Sequence, residues 1–486
     1  MSDFVSAAIV ALLGVILVDS RASGRFPSFI DGFPRDFLAA GLYGLLVAAT
    51  GNPWLAAGGT ILLVALLTVS SILKKRVLGE SLIFSDVAVA SSFLRYPRFY
   101  LDAVPRPLAI TLLMLPLALG VLLFETVHFS PFQRMAGLCF VLISGGTFYI
   151  LWNTRWRRTF MLRPDLPADL PRFGLLATLV IYGLRWHGEH NPLPCSPFPA
   201  DDAPNVDLVI IVQCESFADP QTLVLGTALP PLSTLSRLTA ETQDTVSGNL
   251  EVSGFGAYTM RTEYAVLFGR TEQELGFRSY DPFLSARGEL SLALPNRLSR
   301  LFGKRVFLHP HDMRFYDRQT LMPQMGFNRV ISTETFTASD YHGPYVSDAA
   351  IGRELTTMIH DPSPERRLIY TVTMENHGPW HKGRANSDSP LDAYLAHLRH
   401  GDALLDKLDQ ELTACGKKAV LVFFGDHRPS IPGVNMPVAA RQTPYLLRRY
   451  GQPRSRSSIH RDLSPAALHH LLLEELGLET GNCRGR

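Results

Sequence analysis

Ala419-Val-Leu-Val-Phe-Phe-Gly-Asp-His427 is an unbroken apolar run that stops at a glycine and delivers two polar groups. Such a run, apolar at every position, suits a strand covered on both faces, as in a parallel sheet. Working outward, three more runs have the same texture: Asp207–Gln213 (DLVIIVQ), Arg305–Leu308 (RVFL) and Leu368–Thr373 (LIYTVT). Helical patterns lie between them. The clearest follows Ser389-Pro390, an N-cap and first-turn pair, with leucines at 391, 395, 398, 405, 408 and 412 until Gly416. Strands alternating with helices predict an α/β domain with a largely parallel sheet over 206–475. Ligands collect outside the carboxyl ends of such strands. The four runs are followed by Cys214-Glu215-Ser216, His309-Pro310-His311-Asp312, Glu375-Asn376-His377-Gly378-Pro379 and Gly425-Asp426-His427. Every strand end carries groups that bind metal or phosphate, and together they predict one site.

The amino-terminal part is different. Apolar residues make up 47% of the 486 residues and charged ones 19%, so the chain is poorer in charge than an ordinary soluble domain. Charge-free runs at Phe4–Val18, Phe37–Leu73, Pro107–Phe124 and Met135–Thr154, the second broken at Gly51-Asn52-Pro53, predict five membrane helices, the first one short. A sixth candidate, Phe173–Leu184, is short for a span, which leaves the topology open between five and six. The first run lacks the basic leader of a signal peptide and reads as a retained helix. Basic residues cluster at Arg21/Arg25/Arg35, at Lys74/Lys75/Arg76 with Arg95/Arg98/Arg106, and at Arg155/Arg157/Arg158. By the positive-inside rule the amino terminus is then outside, and the carboxyl-terminal domain reaches the outside only if Phe173–Leu184 crosses. The predicted organisation is a membrane domain over 1–186, a proline-rich extended linker over 187–205, the α/β domain over 206–475 and a flexible tail over 476–486. With 46 Lys+Arg against 44 Asp+Glu, no global basic field argues for nucleic acid. Five cysteines without CxxC spacing exclude a disulfide scaffold and leave any pairing open.

Between the first two strands lies Ser253-Gly-Phe-Gly-Ala-Tyr-Thr-Met-Arg-Thr-Glu-Tyr-Ala-Val-Leu-Phe-Gly269, with a helix predicted from about Thr259 to Gly269. Thr259 there has two readings, an N-cap or a nucleophile. A hydroxyl at a helix amino terminus beside a metal sits in a field that stabilises its alkoxide. Glu215, Asp426 and His427 offer the oxygen and imidazole ligands that suit Mn²⁺, Mg²⁺ or Zn²⁺. Glu263 reads as structural.

These residues carry a resemblance. Glu215 after the first strand, Thr259-x-x-x-Glu263-Tyr, Phe315-Tyr-Asp-Arg318, Asn376-His377-Gly-Pro and Phe424-Gly-Asp-His427 together resemble the lipoteichoic acid synthase/phosphoglycerol transferase branch of the alkaline phosphatase–sulfatase superfamily. The resemblance implies a sulfatase-like domain behind a multi-span α-helical membrane domain. It implies one divalent cation, typically Mn²⁺, held by Glu215, Thr259, Asp426 and His427, with Thr259 as nucleophile. It further implies that Arg318 and His377 hold the phosphate and head group, with Tyr316 and His309 beside them. Tyr316 stands where the family usually has tryptophan, and His311 where the best-known members have an acidic residue, which bears on glycerol specificity. The implied activity moves phosphoglycerol from phosphatidylglycerol to a glycan hydroxyl of the cell envelope, with His377 protonating the leaving group and the domain facing the periplasm or cell exterior. A phosphoethanolamine transferase or a phosphodiesterase would use the same site. Cys195-Ser-Pro-Phe-Pro has proline in the last position of the C/S-x-P-x-R signature and precedes the first strand, which argues against a formylglycine sulfatase. A non-enzymatic scaffold should carry buried charges in its membrane helices, and the charge-free runs contain none.

Overall fold

The computed structural model describes residues 2–26, 28–86, 130–154, 158–224, 226–431, 433–435, 440–452 and 457–478. The run Pro107–Phe124, the basic residues 95, 98, 106, 155 and 157, and Cys483 lie outside them. The chain divides into two units, Met1–Arg76 with Glu80–Glu189, and Val77–Gly79 with His190–Arg486.

In the first unit, apolar sequence forms the helices Ser2–Ser23, Phe29–Thr50, Pro53–Leu78 and Pro131–Trp152. Three described helices are long and apolar enough to cross a membrane: Asp3–Ser23, Pro53–Leu78 and Pro131–Trp152. They expose Leu17, Leu66 and Leu142, the surface that lipid rather than water would cover. Gly51, left-handed at φ 70°, ends the second helix where the sequence predicts the break. Helix Phe29–Thr50 packs on Pro131–Trp152 at Gly137, where a Cβ would stand 2.6 Å from the backbone nitrogen of Ala48. A small residue is what allows that approach.

Two expectations fail here. The first helix is not short: it continues through Asp19 to Ser23. Just outside the charge-free runs, Asp19 and Arg35 are both buried. Asp19 Oδ1 accepts hydrogen bonds from the backbone nitrogens of Leu175 (3.0 Å) and Leu176 (3.1 Å). It thereby caps the helix Leu175–Gly188, whose own preceding residue, Gly174, has no side chain to do so. Arg35 pairs with Asp36 at 2.7 Å. Phe173–Leu184 is also not one helix; Leu166–Phe173 ends at Gly174, and Leu175–Gly188 follows. With 14 residues the latter is about 21 Å long, short of a hydrocarbon core of about 30 Å.

The second unit contains strands β1 (Leu208–Cys214), β2 (Thr245–Glu251), β3 (Lys304–Leu308), β4 (Arg329–Ile331), β5 (Tyr341–His342), β6 (Tyr345–Val346), β7 (Arg367–Val372), β8 (Ala419–Gly425), β9 (Gln442–Tyr450) and β10 (Ile459–His460). Eight of them form one sheet in the order β10-β2-β9-β8-β1-β7-β3-β4, and β5 pairs with β6 as a separate hairpin. The four runs quoted above are β1, β3, β7 and β8. They sit side by side and parallel, with Ile210 opposite Ile369 and Leu421. Among the described strands of this sheet, antiparallel pairing enters at β9, which joins β8 to β2.

Alternation decides which core each side chain enters. Val209 and Ile211 of β1 pack with Val420, Val422, Leu368 and Tyr370 on one face. Leu208, Ile210 and Val212 pack with Leu421, Phe423 and Ile369 on the other. Helices Thr259–Phe268 and Pro465–Glu475 cover the first face, and Asp348–His360 and Pro390–Ala414 the second. Fully burying an aliphatic side chain of this size contributes about 1.5–3 kcal/mol, so both faces of the central strands stabilise the sheet. The proline-rich segment is extended but anchored. Phe198 enters the core, its backbone nitrogen donates to the Arg297 carbonyl (2.9 Å), and Cys195 is half of a disulfide. Leu476 and Leu478 also belong to the core, which therefore runs into the segment expected to be tail.

Candidate functional site

The site lies at the carboxyl ends of β1 and β8, as neighbouring parallel strands require. Gly425 makes this possible: a Cβ there would meet the carbonyl oxygen of Phe217 at 1.8 Å, so only glycine lets the turn after β1 lie against the end of β8. Ser216 N and His427 N both donate to Asp426 Oδ1, at 2.9 and 2.8 Å. Glu215 is fixed by its own backbone nitrogen on Thr373 Oγ1 (3.0 Å) and by the Ser216 hydroxyl on its Oε1 (3.0 Å). His427 Nδ1 donates to the Arg428 carbonyl (3.1 Å), which turns Nε2 toward Glu215 Oε1 (3.3 Å) and Asp426 Oδ2 (3.7 Å). A backbone carbonyl on the far nitrogen is how ligating imidazoles are oriented.

Thr259 is the first residue of the helix Thr259–Phe268, and the cap position belongs to Tyr258, left-handed at φ 75°. The capping reading of Thr259 is therefore displaced by one residue. Its side chain instead faces the Asp426 carboxylate and favours the ionised form of that group. The helix is tied to the same loop by Thr262 Oγ1, which donates to the Asp426 carbonyl at 2.8 Å, and by Gly256 N, which donates to the Arg428 carbonyl at 2.7 Å.

The three groups shift one another's titration strongly. Burial raises the Asp426 pKa to about 6, with the Glu215 charge acting in the same direction. Burial disfavours a His427 cation, yet Asp426 and Glu215 overcome it and lift His427 to about 9. Burial likewise works against ionised Glu215, but His427, His377 and Ser216 hold it down at about 2. One oxygen, one oxygen and one ring nitrogen from these three buried residues lie within 4.8 Å of one another. Asp426 Oδ2 is buried without a hydrogen-bond partner among the described residues. An orphaned carboxylate oxygen facing an imidazole Nε2 fits a divalent cation, because a bound ion would take the role the His427 proton otherwise fills.

The remaining predicted residues ring this cluster. Arg318 is buried and pairs through Nε and Nη2 with Glu263, itself fully buried, while Nη1 meets His309 Nε2 at 3.2 Å. Arg318 is thus ion-paired before any ligand arrives, and Glu263, read as structural, is the residue that sets its plane. Its guanidinium carbon lies 4.9 Å from the centroid of the Tyr316 ring. His309 is buried, with Nδ1 on the Val372 carbonyl (3.2 Å), and burial with Arg318 pushes its pKa well down. His311 is lowered to about 4 by burial and by His377. His377 is exposed, and its Nδ1 meets the Gly378 carbonyl (2.8 Å) and the Tyr345 hydroxyl (3.1 Å). Tyr345 has no signal in the sequence; it comes from the short β5–β6 hairpin.

The model of the Sulfatase family matches residues 207–478. The chain is 27% identical over 453 residues to the capsular polysaccharide biosynthesis protein RkpI of Rhizobium meliloti (strain 1021), covering 87% of this chain and 82% of that one. Its fold is similar to that of the integral membrane protein lipooligosaccharide phosphoethanolamine transferase A (EptA) from Neisseria meningitidis, with a TM-score of 0.54, 11% identity, and 96% and 94% of the two chains covered. It is also similar to the lipoteichoic acid synthase LtaP from Listeria monocytogenes, with a TM-score of 0.47, 20% identity, and 58% and 74% covered.

Proposed function

The chain belongs to the sulfatase family, and from that premise we propose that it is a membrane-bound, metal-dependent transferase. It moves a phosphoglycerol group from phosphatidylglycerol to a hydroxyl of a cell-envelope glycan through an intermediate on Thr259. The observation that carries this reading is the convergence of the buried Glu215, Asp426 and His427 within 4.8 Å, with Thr259, at a helix amino terminus, acting on the Asp426 carboxylate.

Glu215, Thr259, Asp426 and His427 would hold the cation, and its two carboxylates, hydroxyl and one imidazole suit Mn²⁺, with Mg²⁺ or Zn²⁺ as alternatives. Bound there, the ion supplies Lewis acidity to the hydroxyl and to the phosphate oxygens. Thr259 Oγ1 gives its proton to solvent and forms a bond to phosphorus as the bond to the diacylglycerol oxygen breaks. His377, with Nδ1 held by the Gly378 carbonyl, carries the mobile proton on Nε2 and delivers it to that leaving oxygen. The acceptor hydroxyl then gives its proton to His377 and bonds to phosphorus as Thr259 Oγ1 leaves and takes a proton back from solvent. Arg318, oriented by Glu263, offsets the charge of the phosphate oxygens.

Head-group choice follows from the ring of neutral hydrogen-bonding groups. His309 and His311 are held neutral, and Tyr316 and Tyr345 are phenols, a set that suits glycerol hydroxyls. An ammonium group needs a carboxylate, and Asp312, the nearest in sequence, is turned onto Arg314. The name of RkpI supports a polysaccharide acceptor. The disulfide at Cys195 supports a domain in an oxidising compartment, outside a multi-pass inner membrane.

Intact mass tests the reading. The Mn²⁺-loaded full chain, incubated with phosphatidylglycerol vesicles, should gain one glycerophosphoryl group on Thr259, lose it on adding acceptor glycan, and gain nothing as Thr259→Ala. Labelling by phosphatidylethanolamine instead would replace the phosphoglycerol assignment. No label from either lipid with metal bound would end the transferase reading.

A further inference from the structure

A second set of ligating groups stands apart from Thr259. Glu375 Oε1 meets Nδ1 of His342 at 2.8 Å, of His397 at 2.9 Å and of His400 at 2.5 Å. These four residues offer donor atoms that all lie within 4.8 Å of one another. Three ring nitrogens share a single carboxylate oxygen, which has only two lone pairs to give. As a hydrogen-bond network the arrangement is therefore over-subscribed; as the inner wall of a cation site every atom has a use.

The local sequence explains the convergence. His397 and His400 are three apart on the helix Pro390–Ala414 and share one face. Glu375 follows the end of β7, and His342 ends β5. Glu375 is oriented as a ligand should be, with Oε2 taking the backbone nitrogen of Asp348 at 2.7 Å. A second observation points to missing positive charge. Asp348 is fully buried next to Glu375, and both of its carboxylate oxygens lack a hydrogen-bond partner among the described residues. Uncompensated buried carboxylate is costly, and a nearby divalent ion would neutralise it. The cluster is reachable. One cleft of about 280 Å³ is lined by His342 and His397, and another of about 540 Å³ by His342, Asp348, Glu375 and His400.

We propose that His342, Glu375, His397 and His400 form a second divalent-cation site, for Zn²⁺, that fixes the loop carrying His377. Three imidazoles and one carboxylate make a four-ligand set that suits Zn²⁺ better than the oxygen-rich set at Thr259. The ion ties together the end of β7, the β5–β6 hairpin and the long helix. It thereby holds the two residues that meet at the substrate side, Tyr345 from the hairpin and His377 from the loop. The proposal does not depend on which head group is transferred.

The test is metal content of the full chain in detergent, stripped with chelator, reloaded with Zn²⁺ and desalted. The wild type should hold two ions per chain. The Glu215→Gln/Asp426→Asn double variant, which disables the first site, should keep one. Loaded with Co²⁺, that double variant should show the visible absorption of a four-coordinate nitrogen–oxygen site, and adding His400→Ala should abolish it. His342 is partly exposed on a hairpin, so His342→Ala spares the core; it should weaken Zn²⁺ binding at least tenfold and lower the melting temperature only when Zn²⁺ is present. A folded double variant that binds no Zn²⁺, or a His342→Ala chain with undiminished affinity, would overturn the proposal.

Discussion

Arg318 shows how one side chain can be both a functional candidate and a structural debt. It is 2% exposed and its partner Glu263 is fully buried, so neither charge has water to fall back on. Removing one partner of such a pair strands the other, at a cost of about 3–5 kcal/mol. Glu263→Gln should therefore lower stability by that order in thermal denaturation of the detergent-solubilised chain. Replacing both, as Glu263→Gln/Arg318→Met, should recover a large part while leaving the chain inactive. A loss below about 1 kcal/mol for the single change would mean that water reaches the pair. The grouping of candidate residues was legible in the sequence where they sat at strand ends. Glu215, Asp426 and His427 each follow an apolar run, and parallel strands bring such ends together. The Glu263–Arg318 pair was not legible, because it joins two helices, Thr259–Phe268 and Arg318–Gln324, with no pattern linking them. The histidines around Glu375 escaped for the same reason: a His-x-x-His pair on a helix is unremarked until β5 supplies a third.

Helix Thr259–Phe268 is short, and its amino end must stay aligned with Asp426. Its other end is held from outside. His469 Nδ1 donates to the Val266 carbonyl at 2.8 Å, and His470 Nε2 to the Gly269 carbonyl at 2.9 Å, both from helix Pro465–Glu475. These satisfy last-turn carbonyls that a helix leaves unpaired. Burial, with His470 adding to it, lowers the His469 pKa from its ordinary 6.5 to about 3. The folded chain thus refuses a proton that the unfolded chain accepts. The stabilising contribution is complete above pH 6.5 and falls by about 1.4 kcal/mol per unit as pH drops from there toward 3. At pH 5 the deficit from this group is about 2 kcal/mol relative to pH 7. His469→Gln keeps a donor but cannot titrate, so its acid limb should be shallower than that of the wild type in denaturation curves at pH 5 and 7. Equal slopes would show that His469 takes up its proton in the folded chain. Among strands, β1, β3, β7 and β8 were legible because burial on both faces demands apolar residues throughout. β2 (TVSGNLE) and β9 (QTPYLLRRY) were not; the first is polar and glycine-containing, and the second has a proline near its start. Their pairing comes from the sheet rather than from their own propensity.

At the scale of the whole molecule, two physical arguments about sidedness point in opposite directions. Basic residues at 21, 25 and 35 and at 74–76 place the amino terminus outside, and the catalytic domain then needs another crossing to leave the cytoplasm. Helix Leu175–Gly188 is too short to supply it, and its start is pinned by Asp19, a residue near the end of the first helix. The disulfide at Cys195 argues the other way, since such bonds persist in oxidising compartments. The proposed transfer to an envelope glycan agrees with the disulfide, because its acceptor would lie beyond the membrane. A charge bias sets orientation only by a few residues near helix ends, whereas the proposed transfer needs its acceptor on the same side, so the outside placement is the one that the proposed function requires. Lys382 is exposed in the loop after Trp380 and well away from Cys195 in sequence. In a chain carrying Cys139→Ser and Cys415→Ser, Lys382→Cys should react with a membrane-impermeant maleimide in cells whose outer envelope alone has been opened. Labelling that begins only after the inner membrane is broken would put the domain in the cytoplasm, and with it would go the lipid-to-glycan transfer proposed for Thr259.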